Sequence, residues 1–276
     1  MPTIIIHTNT LNFEQSKTLE RKFGKLKATK NHFRAQTDQA PSRPELSQLS
    51  QSLKIDINIL PARFDAQKVQ LVMSDMDSTL INIECVDEIA DYINVKPQVS
   101  AITEAAMRGE LNFEQSLTER VALLKGLNTS ALQAVYTDRL ALNPGAEIWL
   151  AGLKNQGIKF ALVSGGFSFF TDRLKARLNL DFTRANTLSI NNDALDGTVA
   201  GDIIGAQAKA DFLIELCETL EILTSQTIAV GDGANDLMMM KEAGLSIAYH
   251  AKPTVQTEAD AALNFRGLDA ILDFIA

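Results

Sequence analysis

The chain has 276 residues, 46% of them hydrophobic, and a formal net charge of −8, so it is long enough for about two globular domains of roughly 150 residues. The acidic balance without a long basic block argues against nucleic-acid binding, and no apolar run approaches the roughly 20 residues of a membrane helix. Two cysteines, Cys85 and Cys217, lie far apart without metal-ligand spacing, and the N-terminus carries no secretion signal, so we expect a reducing, cytoplasmic compartment.

Residues 1–66 predict a small α+β domain ahead of the main one. Residues 4–6 are isoleucines typical of a short strand, and Asn12 begins a predicted helix over 13–26 with a capping box. Isoleucines alternate with polar residues over 55–59, which indicates a half-buried strand. No catalytic constellation occurs here. The domain is therefore predicted to serve packing or oligomerisation, as in a homodimer, or alternatively to bind a regulatory amino acid.

The most informative stretch is the apolar run 69–73, which is followed by two aspartates one residue apart, Asp75 and Asp77. A short aliphatic run bounded by polar residues indicates a buried strand. In an extended chain residues i and i+2 share a face, so both carboxylates would point the same way and repel each other. A divalent cation would relieve this repulsion, and Mg²⁺ prefers such hard oxygen ligands. Taken alone, the pair could equally be turn residues that end a strand.

A helical insertion is predicted between residues 83 and 139, because apolar residues recur there at helical spacing. Gly109 is predicted to end one of its helices. The hexapeptide Leu-Asn-Phe-Glu-Gln-Ser occurs at 11–16 and again at 111–116, which predicts two helix starts built from the same capping chemistry. Arg120 follows among aliphatic residues, and by itself it indicates no more than a solvated charge.

After the insertion, helices and strands alternate along the chain. Asn143 and Pro144 predict a helix start, with Asn143 as its cap. Buried strands are predicted at 159–163, 227–230 and 245–248. This alternation favours a parallel sheet covered by helices on both faces.

Polar loops follow three of the predicted strands. They contain Asp75 and Asp77, then Ser164 and Gly165, and finally Asp232, Asn235 and Asp236. In open α/β sheets ligands bind outside the carboxyl ends of the strands, so these loops are predicted to meet at one site. Lys209, near the start of a predicted helix, would add a cation to that site.

These motifs match, in order, those of the haloacid-dehalogenase superfamily. They are Asp75-Met76-Asp77-Ser78-Thr79, Ser164-Gly165-Gly166, Lys209 and Gly231-Asp232-Gly233-Ala234-Asn235-Asp236. The insertion sharpens the match, because Glu84, the run 107–117 and Arg120 resemble the cap of the phosphoserine phosphatases within that superfamily. The resemblance covers about residues 69–270.

The resemblance implies an α/β fold: a doubly wound, parallel-sheet core with a helical cap inserted after the first strand, plus the small N-terminal α+β domain. The implied core comprises 67–82 and 140–276, and the implied cap comprises 83–139. Related proteins carry a variable domain in place of residues 1–66, often similar to ACT domains, although this one is short for that comparison.

The resemblance also implies a chemistry. Asp75 would attack phosphorus and form an aspartyl-phosphate, while Asp77 would protonate the leaving group and later accept a proton from water. Mg²⁺ would be held by Asp75, the backbone carbonyl of Asp77 and Asp232, and Asp236 would orient the acidic loop. The phosphoryl oxygens would be held by Ser164, Gly165, Lys209 and Asn235.

The substrate implied by the resemblance is O-phospho-L-serine, hydrolysed to L-serine and phosphate in the last step of serine biosynthesis. Arg120 suits the substrate carboxylate, because a planar guanidinium can bind both of its oxygens. Glu84 suits the substrate ammonium. Met107 and Phe113 would form an apolar wall that excludes water.

Other readings stay open. A phosphotransferase, a phosphomutase or a phosphatase for another small phosphorylated metabolite would share every core motif. A dehalogenase is disfavoured because its chemistry needs no metal-binding acidic loop, and the lack of membrane spans argues against an ion pump. A catalytically idle amino-acid sensor is a further alternative, against which the intact set of Asp75, Asp77, Lys209 and Asp232 argues.

Overall fold

The structure is a computed structural model that describes residues 2–108 and 110–276, with the side chain of Met107 left out. The prediction that Gly109 ends a helix therefore falls outside the described residues. Within these ranges, none of the helices combines the length and the apolar composition needed to cross a bilayer.

The N-terminal residues form a four-stranded antiparallel sheet with two helices on one face. Its elements are β1 (Thr3–Ile6), α1 (Phe13–Phe23), β2 (Lys27–Ala28), β3 (Phe33–Gln36), α2 (Arg43–Leu53) and β4 (Ile57–Ile59). The strand order β2-β3-β1-β4 is that of a split βαβ sandwich. Helix α1 ends three residues earlier than predicted, because Gly24 adopts φ 80° and its N–H donates to Glu20.

The prediction of a half-buried strand at 55–59 is wrong in two respects, because β4 covers only Ile57–Ile59 and because both faces of the segment are buried. Ile55 and Ile57 pack beneath the helices, as the pattern predicts. On the other face Asp56 is 1% exposed and accepts N–H bonds from residues 264, 265 and 266. Asn58 exchanges two hydrogen bonds of 2.9 Å with the backbone of Ala262. The polar face of the strand therefore meets backbone groups of the main sheet rather than water.

The main sheet has seven strands in the order β11-β10-β9-β5-β6-β7-β8, all paired in parallel except β7 with β8. They are β5 (Leu71–Ser74), β6 (Lys159–Phe167), β7 (Phe182–Asn191), β8 (Ala194–Ala200), β9 (Thr227–Gly231), β10 (Leu245–Tyr249) and β11 (Ala261–Leu263). Every residue of the central strands β5, β9 and β10 is buried, as expected for a sheet covered on both faces, which confirms the doubly wound α/β prediction.

Helices cover both faces of this sheet. The helices outside the insertion are α7 (Ala146–Asn155), α8 (Ser168–Leu178), α9 (Ala206–Thr219), α10 (Leu237–Glu242) and α11 (Pro253–Glu258). Successive side chains of β5 point to opposite faces of the sheet. Val72 packs with α7 and α8, whereas Leu71 and Met73 pack with α9 and α10. The two layers together hold β5 rigidly at the centre of the sheet.

The resemblance implies a helical insertion between β5 and α7, and the described residues there form four helices. They are α3 (Cys85–Tyr92), α4 (Lys96–Met107), α5 (Phe113–Ala122) and α6 (Thr129–Asp138). The repeated hexapeptide behaves as predicted, because Asn12 caps α1 and Asn112 caps α5, each in a capping box with the glutamine three residues later. The tip of the β7–β8 hairpin bonds this insertion, with the N–H of Gly126 donating to Leu195 at 2.7 Å.

A buried polar cluster joins the N-terminal sheet to the C-terminal turn of the main domain. The Nδ1 atoms of His7 and His32 lie 2.9 and 3.1 Å from the two carboxylate oxygens of Asp273. Arg34 donates to His32 Nε2 at 2.9 Å, so that nitrogen must be unprotonated and His32 donates to Asp273 through Nδ1. Burial opposes ionisation of Asp273, but the bonds from His32 and then His7 outweigh it and lower its pKa.

We expect Asp273→Asn to lower the free energy of unfolding by about 2 kcal/mol near neutral pH, because charge-assisted hydrogen bonds are lost from a buried site. A depressed carboxyl pKa stabilises the fold above the unfolded value of about 3.9, and this stabilisation is lost as the pH falls through the folded value. The difference between wild type and variant should therefore shrink below about pH 4. Urea unfolding at several pH values measures it, with Asp138→Asn as an exposed control. A difference that stays constant down to pH 3 would rule out the ionised carboxylate as its source.

Candidate active site

Three polar loops meet at the carboxyl ends of β6, β5 and β9, which are neighbours at the centre of the sheet. The chain leaves β5 to build β6 and β7 on one side and later returns to build β9, β10 and β11 on the other. This reversal is a topological switch point, where open α/β sheets bind ligands. The sequence predicts that these three loops meet at one site, and in the described fold they do.

The turn after β5 directs Asp75 and Asp77 into this crevice. Ser78 adopts φ 54°, and the N–H of Ile81 donates to Met76 at 3.0 Å to close the turn. Asn143 holds the turn from outside, because its amide nitrogen donates to Thr79 O at 2.8 Å and to Ile81 O at 3.0 Å. The sequence predicts that Asn143 caps α7, and this prediction is wrong. Gly145 is the residue that directly precedes the helix.

Lys209 lies in the first turns of α9, and its fully buried ammonium joins two of the loops. Nζ donates to Asp75 Oδ1 at 2.6 Å and to Asp236 Oδ1 at 2.7 Å. Burial alone would lower the Lys209 pKa, but the charges of Asp236 and Asp75 outweigh it and raise that pKa. Asp236 also accepts from the N–H of Gly233 at 3.0 Å. The ammonium therefore stays charged and fixes the orientation of Asp75.

Three carboxylates of the site, from Asp75, Asp232 and Asp236, each offer an oxygen, and these oxygens lie within 4.8 Å of one another. Burial, followed by the charge of Asp236, raises the pKa of Asp75 well above its usual range and that of Asp232 to about 6. Lys209 supplies only one positive charge against the three carboxylates. Such clustered hard oxygen donors with excess negative charge fit a divalent metal ion.

Asp77 is oriented differently from this trio. Its Oδ1 accepts from the N–H of Cys85 at 3.0 Å, and its Oδ2 lies 3.4 Å from the hydroxyl of Ser164. Burial, followed by the charge of Glu84, raises the Asp77 pKa to about 7. A carboxyl group with such a pKa can hold or release a proton near neutral pH.

The segment Ser164-Gly165-Gly166, near the end of β6, is built from small residues. Ser164 is fully buried, and its hydroxyl accepts from the N–H of Gly166 at 2.8 Å. A Cβ atom on Gly166 would lie 2.8 Å from Asp77 Oδ2, and one on Gly165 would lie 2.8 Å from the ring of Phe113. These close contacts favour glycine at both positions, because a larger residue would displace the end of the Phe113 or Asp77 side chain.

The insertion brings further predicted residues to the site. Phe113 lies over Gly165 and Gly205. Glu84 accepts from the hydroxyl of Ser78 at 2.6 Å. Arg120 donates to the carbonyl of Ser116, and burial lowers its pKa against the charges of Asp87, Glu84 and Asp77. In the described part of the chain none of these three carboxylates forms an ion pair with Arg120.

The remaining predicted positions are less defined. Asn235 lies in the turn Ala234–Asp236 beside the carboxylates. Met107 ends α4, but its side chain lies outside the described part of the structure. Two contacts escaped the sequence analysis: the pairing of Asp236 with Lys209, and the bond of 3.1 Å from the hydroxyl of Thr79 to Asp232. All four residues lie within the quoted motifs, and membership of those motifs is the only signal in the sequence for these contacts.

Comparison with known proteins places this geometry in a class. A family model described as "Hydrolase: haloacid dehalogenase-like hydrolase" matches residues 69–244, so the chain is by class a hydrolase. A phosphoserine phosphatase of Polaromonas sp. is 50% identical over 224 residues, which cover 79% of this chain and 95% of that protein. The chain therefore belongs to the haloacid dehalogenase-like hydrolase family.

Solved structures agree with this classification. A probable phosphoserine phosphatase from Vibrio cholerae, in unliganded form, is 37% identical with a TM-score of 0.86, and the match covers 99% of this chain and 86% of that one. A structure described as a phospho-aspartyl intermediate analogue of phosphoserine phosphatase is 42% identical with a TM-score of 0.71. That match covers 75% of this chain and 99% of the other.

We expect Asp232→Asn to change stability in opposite directions without and with a divalent cation. Because the Asp232 pKa is raised to about 6, its ionised form destabilises the fold above that pH, so in chelator the variant should melt at or above the wild-type temperature. With Mg²⁺ at 100 times its dissociation constant, wild type should gain about 2.7 kcal/mol. The variant should gain at least about 1.4 kcal/mol less, a tenfold weaker affinity.

Thermal melts and calorimetric titration measure these effects, and Asp202→Asn serves as a matched control because that aspartate is exposed on a turn. Identical Mg²⁺ titrations of wild type and Asp232→Asn would remove Asp232 from the metal site.

Proposed function

We propose that this protein is a phosphoserine phosphatase, which hydrolyses O-phospho-L-serine to L-serine and phosphate and so supplies the last step of L-serine formation. The observation that carries the proposal is the Asp75 carboxylate held by Lys209 in a crevice of otherwise negative charge. The relatives described above bear the same name at up to 50% identity over most of this chain. The structural match described as an intermediate analogue supports an aspartyl-phosphate in this family.

In the proposed first step a carboxylate oxygen of Asp75 attacks phosphorus, and the bond from phosphorus to the serine oxygen breaks. Asp77, whose raised pKa lets it carry a proton near neutral pH, protonates the departing serine oxygen. In the second step Asp77 takes a proton from water, the water oxygen bonds to phosphorus, and the bond between phosphorus and Asp75 breaks. Phosphate leaves, and both aspartates return to their starting state.

The phosphoryl oxygens would be bound by the hydroxyl of Ser164, the N–H of Gly165, Lys209 and Asn235. Fixed donors of this kind stabilise the charge that spreads over the oxygens in phosphoryl transfer. We propose Mg²⁺ as the metal, held by Asp75, Asp232 and the backbone carbonyl of Asp77, where it would neutralise charge on the phosphate. The carboxylate of Asp236, which belongs to the same cluster as Asp75 and Asp232, would contribute to binding of the metal.

Substrate choice is proposed to lie in the insertion. Arg120 would bind the carboxylate of phosphoserine with its planar fork, and Glu84 would bind the ammonium. Phe113, together with Met107, would form the apolar wall over the phosphate loop. This arrangement discriminates against phosphate esters that lack the amino-acid groups.

We also propose a division of labour along the chain. Residues 67–82 and 140–276 would form the catalytic core, 83–139 the cap, and 1–66 a separate domain docked on the edge of the main sheet. The free, buried thiols of Cys85 and Cys217 support a reducing compartment such as the cytoplasm. A homodimer and a regulatory amino-acid site in residues 1–66 stay predictions.

We expect phosphate release from L-phosphoserine in the presence of Mg²⁺, and a loss of at least about 10³-fold in kcat for Asp75→Asn, because the amide cannot act as the nucleophile. Acid quenching of a reaction with ³²P-labelled substrate, followed by peptide mapping, should find label on Asp75. Asp202→Asn is the control and should retain full activity. Label on another residue would overturn the mechanism.

The assay with L-phosphoserine also distinguishes hydrolysis from transfer of the phosphoryl group to a second alcohol. Serine and phosphate should form in equal amounts whether or not homoserine is present. Phosphohomoserine formed at the expense of phosphate would instead identify a phosphotransferase.

We expect Arg120→Ala to lower kcat/KM for phosphoserine about 10- to 100-fold, because a charge-assisted bidentate contact contributes about 1.5–3 kcal/mol. Hydrolysis of p-nitrophenyl phosphate, which has no carboxylate, should change less than threefold. Arg108→Ala is the matched control, since Arg108 is an exposed arginine of the same insertion, paired with Glu110 at 2.7 Å. Equal losses on both substrates would remove Arg120 from carboxylate recognition.

A further inference from the structure

The loop that carries Ser164 leaves the hydrogen-bonding ladder of the sheet. The pairing of β6 with β7 is regular up to Val163 opposite Arg184 and resumes at Phe167 opposite Asn186. Residues 164–166 therefore face a single residue of β7, a bulge with two extra residues. Backbone groups in such a bulge lose their strand partners, so the loop needs another source of hydrogen bonds.

Asn186 supplies that source. The residue is 1% exposed, and its side-chain amide nitrogen donates to the carbonyl oxygen of Gly165 at 2.8 Å. The N–H of the same peptide group belongs to Gly166 and donates to Ser164 Oγ at 2.8 Å. The peptide plane between Gly165 and Gly166 is thus held at both ends. Because Ser164 Oγ already accepts one hydrogen bond, its own hydrogen is directed into the crevice, where Asp77 Oδ2 lies 3.4 Å away.

The other end of the Asn186 amide ties this loop to the helix of Lys209. Its Oδ1 accepts from the N–H of Ile204 at 2.8 Å. Ile204 and Gly205 directly precede α9, and the carbonyl of Gly205 accepts from the N–H of Lys209 at 3.1 Å. A carbonyl on one side and an N–H on the other leave only one orientation of the amide.

The two glycines next to these bonds also form the surface beneath Phe113. An added Cβ would lie 2.8 Å from the Phe113 ring at Gly165 and 3.3 Å from it at Gly205. The Asn186 side chain therefore joins the serine loop to the segment before the lysine helix, and Phe113 lies over one glycine of each.

We propose that Asn186 is a positioning residue for phosphoryl transfer, which locks the Ser164-Gly165 loop to the start of the Lys209 helix so that both meet one phosphate. Asn186 itself touches no reacting atom; it acts through Gly165 and Ile204. The inference rests on the proposed function and names a residue outside the motifs that support that function.

Asn186→Asp tests the proposal, because an ionised aspartate has the shape of asparagine but cannot donate to the Gly165 carbonyl. At pH 8 kcat should fall roughly 10- to 100-fold for both phosphoserine and p-nitrophenyl phosphate, since both substrates share the phosphate loop. KM should change less than kcat, and the affinity for inorganic phosphate should fall. As the pH is lowered and the carboxyl group takes up a proton, the ratio of variant to wild-type kcat should rise at least fivefold.

The control is Asn191→Asp on the same strand, where the side chain is exposed, and it should retain wild-type kinetics. Melting curves at each pH show whether the variant is folded under assay conditions. Wild-type kcat for folded Asn186→Asp at pH 8, or a loss that matches its unfolded fraction at every pH, would overturn the proposal.

If Asn186→Asp fails to fold, Asn186→Ser provides the test, because it keeps a small polar group that cannot reach the Gly165 carbonyl. A folded Asn186→Ser should show the same loss in kcat, and full activity would overturn the proposal. Calorimetric binding of inorganic phosphate distinguishes the two hypotheses. A wild type that binds phosphate but does not hydrolyse phosphoserine contradicts the proposed function, whereas equal phosphate affinity in wild type and variant contradicts the role of Asn186.

Discussion

The buried ammonium of Lys209 between Asp75 and Asp236 is the interaction on which the rest of the site depends. Charges taken out of water incur a large desolvation cost, which is offset only by close, well-directed partners. The two bonds of 2.6 and 2.7 Å meet that condition. They also join segments from three parts of the chain, the turn after β5, the first turns of α9 and the loop after β9. Removing Lys209 would leave the carboxylates of Asp75 and Asp236 without their shared cation in the centre of the protein.

The same arrangement is electrically unbalanced, and that imbalance links stability to ligand binding. The carboxylate of Asp232 lies close to the ion pair, where burial and the charge of Asp236 raise its pKa to about 6. The fold therefore holds this group in its ionised form at some cost in stability near neutral pH. A bound divalent cation would remove this repulsion. Relief of the repulsion would therefore add to the free energy of metal binding.

Whether a site residue can be predicted from the sequence depends on how far apart its contact partners lie along the chain. The acidic loops and Lys209 could be predicted because each motif is continuous and directly follows a recognisable strand or begins a helix. Asn186 carries no such signal, since its partners are a glycine 21 residues before it and an isoleucine 18 residues after it. The prediction that Asn143 caps a helix is wrong for the same reason. Asn-Pro is typical of a helix start, but the amide instead bonds carbonyls more than sixty residues earlier.

The segment 55–59, which contains β4, shows why a correct pattern can predict the wrong environment. Alternation of apolar and polar residues indicates only that one face meets polar groups, and backbone N–H and C=O groups satisfy that condition as well as water does. Asp56 and Asn58 bond the segment from Ala262 to residue 266, at the outer edge of the seven-stranded sheet. An exposed edge strand is a site for unwanted pairing, and here side chains of the N-terminal sheet cover it. Because this edge is formed by β11, two strands beyond β9, the contact stabilises the sheet without reaching the catalytic loops.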